Sequence, residues 1–273
     1  MTEKTTLGIL TIATNSYVSY WKHQAASINA HLSTDLDITL HVFTDDVASV
    51  LEYGAKLDIR VEAHQIPSYG WPQATLYRYR VFCEHQHLLN QDLLMYLDAD
   101  MLVKQEFTGT ALNNPLRSGV CLVLHPGYFR PQKVKLLILY LRNLSLFISD
   151  FRCLLVQGGI GSWETNSHSL SYVPRHARKK YFCGGIWWGL RDEFLSLCHV
   201  LSERVAIDEN NGVEAVWHDE SHLNWWATQK TPGFESPRYC HAEGHPQLNE
   251  LEQFVIAVDK SSSPNTNSAS SAP

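Results

Sequence analysis

Short apolar runs alternate with longer stretches whose apolar residues recur at helical spacing. Residues 7–14 (Leu-Gly-Ile-Leu-Thr-Ile-Ala-Thr) predict a first, buried strand. Asn15 and Ser16 can start a turn or cap a helix, and Tyr, Trp and Ala follow at helical spacing over 17–32. Residues 38–43 predict a second strand ending in Thr44-Asp45-Asp46, and 57–66 a third, closed by Pro67. A β-α-β order this near the start argues for a parallel sheet with helices on its faces. Gly70-Trp71-Pro72 reads as a turn, 75–89 as one helix carrying Arg78 and Arg80, and 119–124 as another strand. Further on, 181–189 reads as an apolar strand interrupted by glycines, which mark close approach to the backbone. A helix over 192–205, a turn at 210–212 and a helix from about 218 to 226 follow. From Ser261 on the chain is Ser, Asn, Pro and Ala without an apolar pattern, so the expected organisation is one α/β domain over 1–260 and a disordered tail over 261–273.

One run stands out. Leu93-Leu94-Met95-Tyr96-Leu97 leads into Asp98-Ala99-Asp100, and Met101-Leu102-Val103 resumes the apolar pattern. Charge inside a buried strand is costly unless it is paired or binds metal, so the strand is expected to end near Leu97. Asp98 and Asp100 then face the crevice at the carboxyl end of the sheet, where open α/β folds bind ligands. Two hard oxygen ligands there suit Mg²⁺ or Mn²⁺ beside a nucleotide. The plainer alternative is a strand-to-turn pair, one Asp capping and the other solvated.

Two segments interrupt the regular pattern. Residues 133–157 are rich in Leu and Ile but carry Arg142, Asn143, Asp150 and Arg152. The charge-free runs fall short of the roughly 18–20 residues of a spanning helix. An amphipathic helix lying on a membrane surface, a core helix, and a segment foreign to the fold all remain open. Residues 175–180 hold Arg175, His176, Arg178, Lys179 and Lys180. They read as a solvated loop or as a flexible strip that meets phosphate.

Composition narrows the partners. A net charge of −6 leaves no broad basic face, so nucleic acid is not expected. Eight Trp and twelve Tyr could line a sugar or nucleotide site, although core packing accounts for most. None of the six Cys forms a C-x-x-C pair, which excludes zinc-ribbon and thioredoxin readings, and several read as reduced core residues. Met1 to Thr6 lacks the basic and apolar regions of a secretory signal, which by sequence suggests a cytoplasmic protein.

Several strings, in order, match a known pattern: Tyr17-Val18, Val42-Phe43-Thr44-Asp45, Leu97-Asp98-Ala99-Asp100-Met101, Leu124-His125-Pro126-Gly127, Tyr172-Val173-Pro174, Cys183-Gly184-Gly185, and the long run from Glu214 to Asn224. The chain resembles glycosyltransferase family 6, the family of the histo-blood-group A and B transferases, over about residues 7–240. The resemblance implies a GT-A fold with a Rossmann-like nucleotide half and an acceptor half in one domain. It implies retaining transfer of galactose or N-acetylgalactosamine from a UDP-sugar to O3 of a β-galactoside. Asp98 and Asp100 resemble the pair that joins Mn²⁺ (or Mg²⁺) to the diphosphate, with Ala99 between them. Ile12, Ala13, Thr14 and Tyr17 align with the uridine pocket, Ile12 replacing a common aromatic. Arg78 and Asp219 align with donor contacts, and His125 and Trp217 with acceptor contacts. Glu220 aligns with the nucleophile, on the acceptor side. Without the resemblance, Asp219 and Glu220 read as an acidic pair at a helix start, and His218 and His222 as structural hydrogen-bonding residues. Cys183, Gly184 and Gly185 align with the positions that choose the donor, and two glycines there resemble the N-acetylgalactosamine arrangement more closely. Three departures accompany the match: Ala242 near an acceptor-binding Asp, with Glu243 beside it, a short C-terminus, and the 133–157 insertion. They favour a second reading, a weak or inactive sugar-binding relative; a third is a UDP-sugar hydrolase, in which water replaces a poorly bound acceptor. Animal members of the family are Golgi membrane enzymes, so that location follows if an anchor is missing.

Overall fold

The first apolar run forms β1 (Thr5–Ile12), followed by α1 (Tyr17–Asn29), β2 (Leu36–Thr44), α2 (Val47–Gly54) and β3 (Arg60–Gln65). The computed structural model describes residues 4–114, 116, 119–132, 134–242 and 245–258. Lys133, Glu243 and the tail expected over 261–273 lie outside them, as does the end of the domain expected over 1–260.

The expected 75–89 helix is broken into α3 (Gln73–Leu76), α4 (Arg78–Glu84) and a single 3₁₀ turn. At the break, Nε of Arg78 donates to the Thr75 carbonyl (3.0 Å), which turns this side chain inward. Then come β4 (Leu93–Leu97), β5 (Met101–Val103), α5 (Gly109–Asn113) and β6 (Val120–Leu124). The apolar segment after β6 supplies α6 (Val134–Arg142) and α7 (Leu144–Gln157). The chain continues through β7 (Phe182–Leu190), α8 (Arg191–Asn210), α9 (His218–Gln229), β8 (Gly233–Glu235) and β9 (Val255–Ala257).

The main sheet has the order β3-β2-β1-β4-β7-β6-β8, and β5 pairs with β9 in a small second sheet. The expectation of a parallel sheet holds for β3, β2, β1 and β4, and β6 and β8 run the same way; β7 is the reversed strand, antiparallel to both β4 and β6. The reversal brings the start of β7, with its glycines, beside the end of β4. Side chains alternate across the sheet. Leu7, Ile9, Val42, Met95 and Trp188 fill one face with α1 and α2 side chains, and Leu10, Phe43, Tyr96, Trp187 and Phe194 the other with α4, α8 and α9. Burial on both faces explains why these strands are apolar nearly throughout. Each fully buried Leu or Ile contributes about 2 kcal/mol.

The core-helix reading of 133–157 is overturned: Leu137, Leu141, Leu154 and Val156 are 59%, 78%, 52% and 73% exposed. Polar contacts tie the segment down. Asp150 is buried and takes two hydrogen bonds from Arg130 (2.5 and 2.6 Å) and one from the Tyr140 hydroxyl (2.7 Å). Gly158 ends α7 in the left-handed region (φ 76°), a conformation that only glycine adopts cheaply. Arg175 donates to the carbonyls of Leu155 and Val156, and Arg178 to those of Gln157 and Val173. These two arginines, expected in a solvated or phosphate-meeting strip, instead satisfy the open carbonyls of a helix C-terminus. Among the described residues, no helix is long and apolar enough to cross a membrane. Cys121, Cys183, Cys198 and Cys240 are buried and unpaired, as expected of reduced core cysteines.

Candidate active site

Asp98 follows the last residue of β4, so the strand ends where the polar residues begin. Its N–H donates to the Gly185 carbonyl (2.9 Å), and its own carbonyl accepts from Met101 (3.0 Å), making Asp98-Ala99-Asp100 a tight turn into β5. The Asp98 side chain is half-buried and accepts a short hydrogen bond from the Tyr96 hydroxyl. Burial pushes its carboxyl up to about 6, against the pull of Arg78, and the charge of Asp100 adds to the rise.

Arg78 sits at the centre. It is 4% exposed, 3.1 Å from Asp219 Oδ2, 3.5 Å from Asp98 Oδ1 and 3.0 Å from the Gly184 carbonyl, with its guanidinium over the Tyr96 ring (4.4 Å). One cation thus links the end of β4 with the start of α9. Burial holds the carboxyl of Asp219 above its ordinary range, with Arg78 opposing the rise.

Glu220 is held by the docking of α9 on β7. One turn along the helix, Asn224 exchanges two hydrogen bonds with the Phe182 backbone (2.8 and 2.9 Å). Residues four apart share a helix face, so Glu220 meets the same strand, and its Oε2 accepts from the Gly184 N–H (2.7 Å). Burial pushes its carboxyl up to about 8, although the Gly184 N–H and the Tyr181 hydroxyl favour the ionised form.

A cleft of about 360 Å³ joins these groups, lined in part by Arg78, Asp98, His125, Trp217, Asp219 and Glu220. Gly184 and Gly185 form its floor. A Cβ on Gly184 would stand 2.9 Å from Asp219 Oδ2, and one on Gly185 2.8 Å from Asp98 Oδ2. The strand glycines therefore give their space to these two carboxylates. Trp217 is half-exposed at the rim. The Nδ1 of His125 accepts from the Gly127 N–H (3.1 Å), and its ring packs on Tyr128 and Tyr181.

The remaining predicted positions lie elsewhere. The Cys183 side chain is in the core beside Cys240 and is not among the residues that line the cleft. Ala13 and Thr14 are buried just past β1, Ile12 packs on the second core cluster, and Tyr17 is 39% exposed at the start of α1. Thr11 Oγ1 donates to the Leu97 carbonyl (3.0 Å), so this corner adjoins the Asp98 turn without lining the cleft. Thr75, Tyr128, Ser162 and His218 line the cleft and were missed by sequence reasoning. Tyr128 and Ser162 are hydrogen-bonded across 34 residues of sequence, a distance no local motif reports. His222 is buried within α9, 3.7 Å from buried Asp208 of α8 and outside the cleft lining, in keeping with a structural role.

Burial lowers both His125 and His222 from 6.5 to about 4. Both are therefore neutral in the folded protein where the unfolded chain binds protons. The stability these two rings contribute is fully present above about pH 7 and is lost as pH drops from 6.5 toward 4, by up to about 2 kcal/mol per histidine between pH 7 and pH 5. The raised carboxyls of Asp98 and Glu220 act in the opposite direction over that range, so the rings are read individually: the imidazole NMR shifts of His125 and His222 are expected to keep their neutral values at pH 5. A ring that titrates near its ordinary value of about 6.5 would show that it is not held neutral.

Residues 160–265 match the family model for glycosyltransferase family 6. The chain is 24% identical over 266 residues to the histo-blood group ABO system transferase 1 of Rattus norvegicus, covering 94% of this chain and 68% of that protein. It is 24% identical over 267 residues to the globoside alpha-1,3-N-acetylgalactosaminyltransferase 1 of Gallus gallus, covering 93% and 67%. It is also 22% identical over 255 residues to the O-antigen biosynthesis glycosyltransferase WbnI of Escherichia coli, covering 93% and 94%.

Proposed function

Since the chain belongs to glycosyltransferase family 6 and has the GT-A class of α/β fold, we propose that it transfers N-acetylgalactosamine or galactose from a UDP-sugar to O3 of a β-galactoside, with retention. The observation that carries this reading is the convergence of Arg78, Asp98, Asp219 and Glu220 from three separate segments on one cleft. N-acetylgalactosamine is the preferred donor in this reading, since the names of several relatives specify that sugar and Gly184 and Gly185 put no side chain on the cleft floor.

The residues fit a divalent cation. Burial leaves Asp98 under-compensated even with Arg78 beside it, and the absent Cβ of Gly185 opens a space at its Oδ2. Asp98 and Asp100 offer carboxylate oxygens, the donor type that Mn²⁺ and Mg²⁺ prefer. When bound, the metal supplies positive charge to the diphosphate leaving group.

The chain's own groups do the rest. Arg78 holds Asp98 and Asp219 in fixed positions, so that Asp219 faces the hydroxyls of the donor sugar. Glu220 lies under the anomeric carbon. As the bond from that carbon to the UDP oxygen breaks, the Glu220 carboxylate either bonds to the carbon or stabilises its positive charge. The acceptor O3 then bonds to the same carbon on the face UDP left, and where a Glu220 ester has formed its bond to that carbon breaks and frees the carboxylate. In either path the O3 proton passes to the diphosphate oxygen of the leaving UDP. His125 and Trp217 position the acceptor, and the neutral imidazole of His125 donates through Nε2.

The test is UDP release from UDP-N-acetylgalactosamine and UDP-galactose, with and without Mn²⁺, with lactose or 2′-fucosyllactose as acceptor. Acceptor-stimulated, metal-dependent release is expected. Asp98→Asn is expected to lower it by about 10²-fold or more, because a neutral amide binds the cation more weakly and leaves Arg78 with less countercharge. Release of free sugar irrespective of acceptor would point to hydrolysis, and no turnover by folded protein with either donor would overturn the reading.

A further inference from the structure

Another cluster of chemistry-bearing side chains lies away from the cleft. β2 and β3 pair in parallel, with His41 opposite Glu62 and Phe43 opposite His64. Residues two apart share a sheet face, so Glu62 and His64 project together beside His41. The His41 Nδ1 lies 3.0 Å from His64 Nε2 and 3.6 Å from Glu62 Oε2. One ligand atom from each residue lies within 4.8 Å of the others, the sole such group of three among the described residues.

The surroundings orient these atoms. His41 is fully buried, and its Nε2 lies 3.1 Å from Gln91 Oε1. An amide oxygen only accepts, so Nε2 carries the proton and the Nδ1 lone pair faces His64 and Glu62. Gln91 reaches His41 across β1 because position 8 is glycine: a Cβ there would stand 2.9 Å from Gln91 Oε1. The other Glu62 oxygen is held by Arg60 at 2.6 Å, leaving Oε2 turned toward His41.

Two imidazole nitrogens and one carboxylate oxygen suit Zn²⁺ with a water in the fourth place, and suit Mg²⁺ or Mn²⁺ poorly. Gln91 supplies the outer hydrogen bond that fixes a metal-bound histidine ring. We propose that His41, Glu62 and His64 form a zinc site that fastens the edge strand β3 to β2, separate from the Asp98–Asp100 pair. The site adds a cross-link within the nucleotide half of the sheet and takes no part in transfer.

The test uses the full chain, stripped with chelator and titrated with Co²⁺, then Zn²⁺. Wild type and Asp98→Asn are each expected to bind one Co²⁺ with the intense visible absorption of a tetrahedral site, displaced by Zn²⁺. Glu62→Gln and His64→Ala, both on the edge strand β3, are expected to weaken binding by more than about tenfold, with circular dichroism unchanged. Zn²⁺ is expected to raise the melting temperature of wild type and not of these variants. Absence of the tetrahedral spectrum in wild type would overturn the proposal. So would a spectrum that disappears in Asp98→Asn or survives both β3 substitutions. If His64→Ala fails to fold, Glu62→Gln alone decides.

Discussion

Glu220→Gln is expected to lower kcat by about 10²- to 10³-fold while leaving the fold intact. The substitution keeps an oxygen that can accept from the Gly184 N–H, the contact that fastens this side chain to β7. Burial already pushes the carboxyl up to about 8, so near pH 7 the unliganded protein holds it mostly neutral, and an amide costs little there. Thermal stability should therefore stay near that of wild type or rise. Catalysis depends on the opposite state, because only the carboxylate can bond to or stabilise a cationic sugar carbon. The same reasoning gives wild-type kcat/KM an acid limb near pH 8 in the free enzyme, rising with pH as Glu220 ionises. The variant should lose this limb along with its rate. A kcat within tenfold of wild type, or a kcat/KM flat from pH 6 to 9, would remove Glu220 from the chemistry and leave it as a clamp between α9 and β7.

Arg78→Ala is expected to be the most destabilising single change in the cleft, by about 3–5 kcal/mol. Arg78 is 4% exposed and lies between Asp98 and Asp219, so its removal leaves two carboxylates without their shared cation. The loss extends beyond charge. The guanidinium also donates to the carbonyls of Thr75 and Gly184, one at the break before α4 and one in β7. Lys cannot serve these separate acceptors from one planar fork, so Arg78→Lys should recover only part of the stability. Asp219→Asn added to Arg78→Ala should restore some of it, because one unpaired buried charge disappears. Denaturant unfolding of the four proteins in this double-mutant cycle gives the coupling directly. A cost for Arg78→Ala below about 1 kcal/mol, the range of an exposed pair, would show that the cleft is more solvated than its burial implies.

Much of the fold was legible in the sequence because it rests on local pattern. Apolar runs gave the positions of β1, β2, β4, β6 and β7, and Asp98 does begin at the end of β4, where charge becomes affordable. The continuous 75–89 helix was misread, because its break depends on a side chain, Arg78, turning inward toward partners more than a hundred residues away. The parallel sheet holds for every strand of the main sheet except β7, since periodicity reports that a segment is a strand and not which way its neighbours run. For the site, Asp98, Arg78, His125, Trp217, Asp219 and Glu220 are legible in the sequence and share the cleft, whereas Cys183 packs in the core. It stands between the apolar Phe182 and two glycines, so no alternation of polar and apolar side chains tells cleft from core there.

The sequence by itself determined where apolar segments end and which polar residues stand at those ends, because hydrophobic burial and the cost of buried charge act through the local pattern. It also carried the family strings. Only the tertiary structure decided that Arg78 joins Asp98 to Asp219, that Gly184 and Gly185 yield their space to carboxylates, and that Gly8 lets Gln91 reach His41. It also turned the apolar segment of α6 and α7 outward, held by the buried Arg130–Asp150 pair. Each of these depends on groups far apart in the chain meeting at van der Waals or hydrogen-bond distance, and such meetings are set by how strands and helices pack, not by the order of residues along any one of them.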